Sequence, residues 1–315
     1  MHRVLLSATR YATGVFLLLA LAPGSSEAAR NGPLLFEAEA LEQYTDLNGE
    51  NLRTVGTGSF AVGPGDRGIR RLDSRRRRGQ FSLDGRRIAY IGGREADVFI
   101  MPASGAGVTT RVTRGANAVA VSWAPDGVHL VYAADREDRA NGPIITVEAR
   151  PRGRQQRVGW GYEPSWSPAG RILFTRYLGP GHANPAVFLM RANGSDARRV
   201  AEKLWYSAAP WSPNGRRFVA RVFRDDRYGV AVVDVKSGRI RTIGDFDGHE
   251  PIWSPDGRRI AFIAGDAVTP WTISTIKPDG RGRRELVNAD RDFPRYFPSS
   301  SDHFSLSDLR WQPRP

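Results

Sequence analysis

Hydrophobic positions along this chain fall in short runs bounded by turn residues. Arg87-Ile-Ala-Tyr-Ile91, Val128-His-Leu-Val-Tyr132 and Arg259-Ile-Ala-Phe-Ile263 are rich in β-branched and aromatic side chains and read as buried or half-buried strands. Ten or more residues further on come Asp97-Val-Phe-Ile-Met101, Ala186-Val-Phe-Leu-Met190 and Gly229-Val-Ala-Val-Val233, which read as a further strand. Tight turns such as Ala192-Asn-Gly-Ser195 and Lys277-Pro-Asp-Gly280 then lead into a short fourth strand like Ala197-Arg-Arg-Val200. In front of each set stands an aromatic and a polar turn: Phe81-Ser-Leu-Asp-Gly85, Trp123-Ala-Pro-Asp-Gly127, Trp166-Ser-Pro-Ala-Gly170, Trp211-Ser-Pro-Asn-Gly215 and Trp253-Ser-Pro-Asp-Gly257. The aromatics are 42, 43, 45 and 42 residues apart, the length of one four-stranded propeller blade. The fold class this implies is all-β, a propeller of antiparallel blades.

The two ends complete the pattern. Pro33-Leu-Leu-Phe36, Leu41-Glu-Gln-Tyr44 and Asn51-Leu-Arg-Thr-Val55 match second, third and fourth strands with no first strand before them. Leu309-Arg-Trp311 supplies that strand at the other terminus. Pairing the C-terminal strand with the N-terminal blade would close a ring and remove its open edges. The count is then six blades: 33–55 with 306–313, then roughly 77–114, 118–158, 162–200, 206–243 and 248–287. Gly56 to Arg78, ending in four consecutive Arg, and Asn288 to Ser305 read as long connections. Residues 1–28 read as a signal peptide: Arg3 and Arg10, the apolar run Val15 to Ala22, and small Ser26 and Ala28 before a cut. Eight apolar residues are too few to span a bilayer, which takes about twenty. The expected product is a single exported domain, 29–315, without a transmembrane span, either periplasmic, cell-surface or extracellular.

Glu163-Pro-Ser-Trp-Ser-Pro168 and Glu250-Pro-Ile-Trp-Ser-Pro-Asp-Gly257 give the sequence a resemblance to the propeller domain of the TolB-type translocation proteins, over about residues 33–313. TolB-type proteins carry an α/β domain before the propeller, and no counterpart is expected here. The resemblance implies that the first strand of each blade lines a central channel, with its mouth opposite the Ser-Pro-Asp-Gly turns. It also implies that the mouth binds another protein.

In that register Arg78, Glu163, Glu250 and Asp308 stand three residues before their aromatics, and Arg77, Tyr162 and His249 one earlier. The predicted mouth therefore has carboxylates on three blades and an Arg pair on a fourth. Two readings of Glu163 and Glu250 stay open: ligand contacts, or groups that satisfy neighbouring backbone and hold blades together. Trp160 and Trp205 share an offset six residues before Trp166 and Trp211; with Tyr162 and Tyr206 they form either a contact ledge or a plug between blades. The repeated Trp123, Trp166, Trp211, Trp253 and Trp311 follow the period and belong to the core.

Composition narrows the partners. Net charge is +13, and of the 46 basic residues all but Lys203, Lys236 and Lys277 are Arg, a bias that coding preference explains as readily as an acidic partner. The repeated Gly-Arg-Arg at 85, 215 and 257 would string cations around the turn face, where salt screens them. No nucleic-acid recognition module is present. With no Cys, the fold rests on its core alone. There is no Gly-x-Ser-x-Gly or His-Glu-x-x-His, Gly63-Pro-Gly-Asp-Arg-Gly68 lacks the strand and helix of a dinucleotide site, and Asn193-Gly-Ser195 is already explained as a turn. The expectation is a monomeric non-enzyme without cofactor that binds an envelope or extracellular protein. A glycan-binding alternative, and a lyase for acidic polysaccharide holding a metal through His182, His249 and His303, stand beside it.

Overall fold

The structure, a computed structural model, describes residues 31–46, 49–63, 69–71, 79–104, 107–135, 141–179, 184–205, 210–224, 227–244, 246, 248–265, 270–294 and 303–313. The segment read as a signal peptide, Arg77, Arg78, His182 and Tyr206 lie outside the described residues.

The described chain is antiparallel sheet almost throughout. β1 (Asn31–Asp46), β2 (Gly49–Val62) and β3 (Ile69–Arg71) open the first sheet. β4 (Gly79–Phe81), β5 (Arg87–Gly92), β6 (Asp97–Pro102) and β7 (Thr110–Arg111) form the second. Seven strands follow in one sheet: β8 (Ala118–Trp123), β9 (His129–Ala134), β10 (Gly142–Glu148), β11 (Gln155–Trp166), β12 (Arg171–Tyr177), β13 (Pro185–Arg191) and β14 (Arg198–Glu202). β15 (Leu204–Trp205), β16 (Arg217–Arg224), β17 (Arg227–Asp234) and β18 (Ile240–Ile243) make another. β19 (His249–Trp253), β20 (Ile260–Ala264), β21 (Thr272–Ile276) and β22 (Arg284–Asn288) make the last. After the one-turn helix α1 (Ala289–Asp292), β23 (His303–Pro313) returns to β1 with Trp311 opposite Leu34, so both ends of the described chain share a sheet.

Three expectations need correction. Among the described residues the hydrogen-bonded sheets number five, because β11 runs unbroken where a strand break was expected between 158 and 162. Its first half pairs with β10 and its second with β12. The handover is at Gly161, where a Cβ would lie 2.4 Å from the Thr175 carbonyl oxygen and 2.7 Å from the Phe174 ring. Residues 33–55 are not three short strands but part of one long hairpin, with Leu34 opposite Val62 and Asp46 opposite Gly49. Gly56 to Ser59 carry no apolar signal, yet a ladder needs only backbone N–H and C=O groups, so this supposed connection is strand. The connection after Asn288 carries α1, whose N-cap Asn288 side chain accepts from the Arg291 N–H (3.2 Å). Phe293 follows, fully buried edge-on to Phe60 (4.9 Å) and Phe36 (6.1 Å).

The aromatic-Ser-Pro-Asp-Gly signature is a hydrogen-bond device. Ser254 Oγ donates to Asp256 Oδ1 (2.6 Å) and accepts from the Arg259 N–H (2.9 Å) just ahead of the next strand. Asp256 Oδ1 also takes the Arg258 N–H (3.0 Å), and the Gly257 N–H returns to the Ser254 carbonyl (2.8 Å) with φ +69°. Ser82 and Ser212 repeat the arrangement with Asp84 and Asn214. Where Ala124 replaces the serine, Asp126 Oδ1 takes over the strand amide, His129 N–H at 3.0 Å.

Packing lies between sheets as much as within them. Leu189 and Val187 meet Phe218 and Trp211; Val219 and Val232 meet Phe262 and Trp253; Ile263 and Ile273 meet Phe36, Phe60 and Trp311. Val98 and Ile100 meet Val121 and Trp123, Ile144 and Val131 meet Phe174 and Ile172, and Leu35 and Ala61 meet Phe81. The indoles add cross-sheet bonds: Trp123 Nε1 to the Gln80 carbonyl (3.1 Å) and Trp211 Nε1 to the Ser165 carbonyl (3.3 Å).

Ser254 is fully buried, so Ser254→Ala orphans a strand amide and should cost about 1 kcal/mol. The expected result in urea unfolding is a lower midpoint with an unchanged slope.

Candidate functional site

Strands β11, β19 and β23 share an irregularity at one place. Tyr162 faces Thr175 while Ser165 faces Leu173; His249 faces Ile263 while Ile252 faces Ala261; Ser307 faces Glu37 while Arg310 faces Leu35. Each first strand thus carries one residue more than its partner, a β-bulge, and the bulges hold Glu163, Glu250 and Asp308. Glu163 and Glu250 have φ +48° and +45°, a left-handed conformation that costs free energy in a residue with a Cβ, and a proline follows each. A bulge re-aims the side chain out of the ordinary alternation.

Glu250 reaches the neighbouring sheet, where one carboxylate oxygen accepts the Leu309 N–H at 2.9 Å, so this residue takes the blade-holding role. Glu163 is open to solvent, yet protein crowds it closely enough that desolvation pushes its carboxyl up to about 7. Nearby, Tyr162 packs edge-on against Tyr177 with ring centroids 5.8 Å apart and donates its hydroxyl to Asp135 Oδ1 at 3.2 Å. Burial, and secondarily the Glu163 charge, raises the Tyr177 pKa.

The same edge, opposite the Ser-Pro-Asp-Gly turns, carries further rings. Phe223, 47% exposed, packs on Tyr228 (4.8 Å); Tyr228 faces His249 (6.2 Å), and His249 faces Trp271 (5.5 Å). The Arg221 guanidinium lies 3.3 Å over the Tyr228 ring. Leu178, 51% exposed, extends the apolar surface beside Tyr177.

Of the residues singled out from sequence, Tyr162, Glu163, His249 and Glu250 stand at this edge. Trp160 is half-buried, with Arg157 5.1 Å over its ring and its carbonyl accepting from Arg176. Trp205 pairs through its backbone with Arg221, while Asp308 and His303 lie in β23; the side chains of these three lie outside the described residues. Of the three histidines considered for a metal, the structure therefore describes only the His249 ring, and no group of three metal-ligating side chains occurs among the described residues.

Tyr177, Phe223, Tyr228, Trp271 and Asp135 were not identified from sequence. Tyr177 and Phe223 each fall six residues after the Arg that follows the turn glycine, Arg171 and Arg217, so a second alignment keyed on that Arg would have found both. In the belt of Gly-Arg-Arg cations the second arginine of two copies is spent on packing. Arg87 donates to the Gly127 carbonyl (2.6 Å) and stacks over Trp123 (4.6 Å), and Arg259 donates to the Thr275 and Gly282 carbonyls (3.0 and 2.6 Å).

A carboxyl whose pKa is raised in the fold favours the neutral form. Its contribution to stability is full below the ordinary value of 4.5 and is lost as pH climbs through about 7. Wild type should therefore lose thermal stability relative to Glu163→Gln between pH 5 and pH 8, read from paired melting curves; parallel curves would show an ordinary, well-solvated carboxyl. Glu250→Ala removes the acceptor for Leu309 N–H and should destabilise by about 1–2 kcal/mol at any pH above the carboxylate range, measured by denaturant unfolding.

Comparison with known proteins follows this geometry. A family model for the TolB beta propeller domain matches residues 72–300. The uncharacterized protein Atu1656 of Agrobacterium fabrum is 25% identical over 181 residues, covering 53% of this chain and 61% of its own length. The uncharacterized peptidase YuxL of Bacillus subtilis is 26% identical over 201 residues, covering 59% of this chain and 29% of its own. The chain thus spans less than two thirds of either curated relative it matches. Among solved structures, TolB from Acinetobacter baumannii superposes with a TM-score of 0.60 at 18% identity, over 90% of this chain and 67% of that one, which shows a shared fold. YuxL overturns the expectation of a non-enzyme, since this repeat also occurs in a protein named as a peptidase. Absence of a catalytic motif from this chain does not speak for such a relative, of which the matched stretch is under a third. The matched model, the strand order and the turn chemistry together place the chain in the TolB beta-propeller domain family.

Proposed function

We propose that the chain is an exported, monomeric six-bladed propeller that binds another protein at the edge carrying Glu163 and the aromatic rings. Six blades follow if β11 serves two, as fourth strand of one and first strand of the next. Apolar clusters joining each sheet or half-sheet to the next, including the last to the first, support a closed ring with β23 completing the β1 sheet. The first strands then line a channel, and the bulge at Glu163 sits in its wall. The Arg-flanked apolar run at Val15 to Ala22 supports export, and no described helix is long and apolar enough to cross a membrane.

The observation that carries the binding proposal is the row of rings on one edge: Tyr162 and Tyr177, Phe223 and Tyr228, then His249 and Trp271. Rings with part of their surface in water are the residue class that dominates binding hot spots, because they bury much area at little cost in conformational entropy. Trp160, Trp205, Tyr206, Asp308, Arg77 and Arg78 belong to the same proposed mouth. The presence of this fold in TolB of Acinetobacter baumannii is consistent with a scaffold that meets partners.

The test is affinity for a partner captured from envelope extract by the wild-type chain. Phe223→Ala, with unchanged melting, should weaken binding by about 2 kcal/mol, roughly thirtyfold. Equal affinity would remove the aromatic edge from the interface, and saturable binding on a glycan array with no protein captured would turn the proposal to carbohydrate.

A further inference from the structure

At the opposite edge, four arginines stand at equivalent places, each at or just before the start of the second strand after a turn glycine. Arg87 and Arg259 bond to carbonyls as described, and Arg171 pairs with Asp196 at 3.2 Å. Arg217 breaks the series: its guanidinium makes no hydrogen bond or ion pair among the described residues. It faces instead a depression of about 480 Å³ lined by Arg217, Val232, Asp234, Ser237, Arg239 and Arg241.

Register explains why three guanidinium groups share this place. Arg217 pairs with Asp234, Val219 with Val232 and Val232 with Arg241, and the Asp234 N–H donates to the Arg239 carbonyl. All therefore project from one face of the β15–β18 sheet, the face whose inner part, Val219 and Val232, packs on Phe262 and Trp253 of the next sheet. The depression is the outer mouth of that seam. Arg241 already bridges the seam, donating to the Pro278 carbonyl. Arg239, like Arg217, has no side-chain partner among the described residues.

The one carboxylate present does not neutralise the group. Asp234 Oδ1 is turned into the following tight turn, accepting from the N–H groups of Ser237 (2.9 Å) and Lys236 (3.1 Å) and from the Ser237 hydroxyl (2.8 Å). These bonds, the Ser237 N–H first, hold its carboxyl below the usual range with the Arg217 charge adding to the effect, so it stays ionised as a single negative charge among three guanidinium groups. Three cations and one carboxylate leave an excess of positive charge in a concave site, with planar donors suited to a bidentate oxyanion contact.

We propose that this seam is a binding site for a tetrahedral oxyanion, phosphate or sulfate, held by Arg217 and Arg239 with Arg241 at its back and the Ser237 hydroxyl at its rim. Inorganic phosphate titrated into the full chain at constant ionic strength, followed by phosphorus NMR line broadening, should give a saturable curve that sulfate competes away. Arg217→Gln combined with Arg239→Gln should weaken it by about tenfold or more. Arg86→Gln combined with Arg258→Gln removes the same charge from exposed positions of the same edge and should leave the curve within about twofold. A curve that does not saturate, or equal weakening by both pairs, would overturn the site in favour of diffuse attraction to a basic surface. The single change Arg239→Gln, in an exposed turn, gives the same test should the double variant fold poorly.

Discussion

A four-stranded sheet with apolar side chains on both faces cannot stand in water alone, and that constraint governs this protein. In β16, Phe218 and Ala220 point to the preceding sheet while Val219 points to the following one. Each sheet is thus half of two cores, and its stability is held in common with its neighbours. The energy scale is that of ordinary core burial, about 25 cal/mol for each Å² of apolar surface removed from water, with no disulfide to add to it.

Once faces are fixed in this way, chemistry is left to the edges. At one edge the turns bond largely to their own side chains, and of the four equivalent arginines that follow them Arg217 alone makes no hydrogen bond or ion pair among the described residues. At the other, strands begin, bulge and connect, and there the chain places Glu163 with its displaced pKa and the exposed rings. Strain at Glu163 and Glu250 is tolerated because strands on either side pin the bulge. At Glu250 the strained backbone brings a carboxylate to the next sheet's amide, so one copy of the feature is structural. At the other copy the Glu163 side chain is exposed, and desolvation by the surrounding protein raises its pKa.

The match to an uncharacterized peptidase bears on how far absent motifs can be pressed. A propeller repeat is a scaffold, and function lives in sites and in domains joined to it. The lack of a nucleophile elbow in this chain describes the chain and does not assign the class.

By itself the sequence determined the repeat, the turn chemistry, the all-β class and the pairing of Trp311 with the N-terminal strand, because these rest on local backbone preferences and on a period written five times over. It also placed Tyr162, Glu163, His249 and Glu250 at one edge, since register alone fixes them. Only the tertiary structure decided that β11 is one strand shared by two half-sheets, that Gly56 to Ser59 is ladder, and that Phe293 packs edge-on against the stacked pair Phe36 and Phe60. Backbone hydrogen bonds and the shape of a void leave no mark in side-chain pattern. Likewise Trp271 and Asp135 come from connections whose lengths differ between repeats, Tyr228 from the strand that follows one, and Arg217, Arg239 and Arg241 meet only when three strands are laid side by side. Contacts between residues on different strands depend on where the backbone turns, which a linear period does not encode.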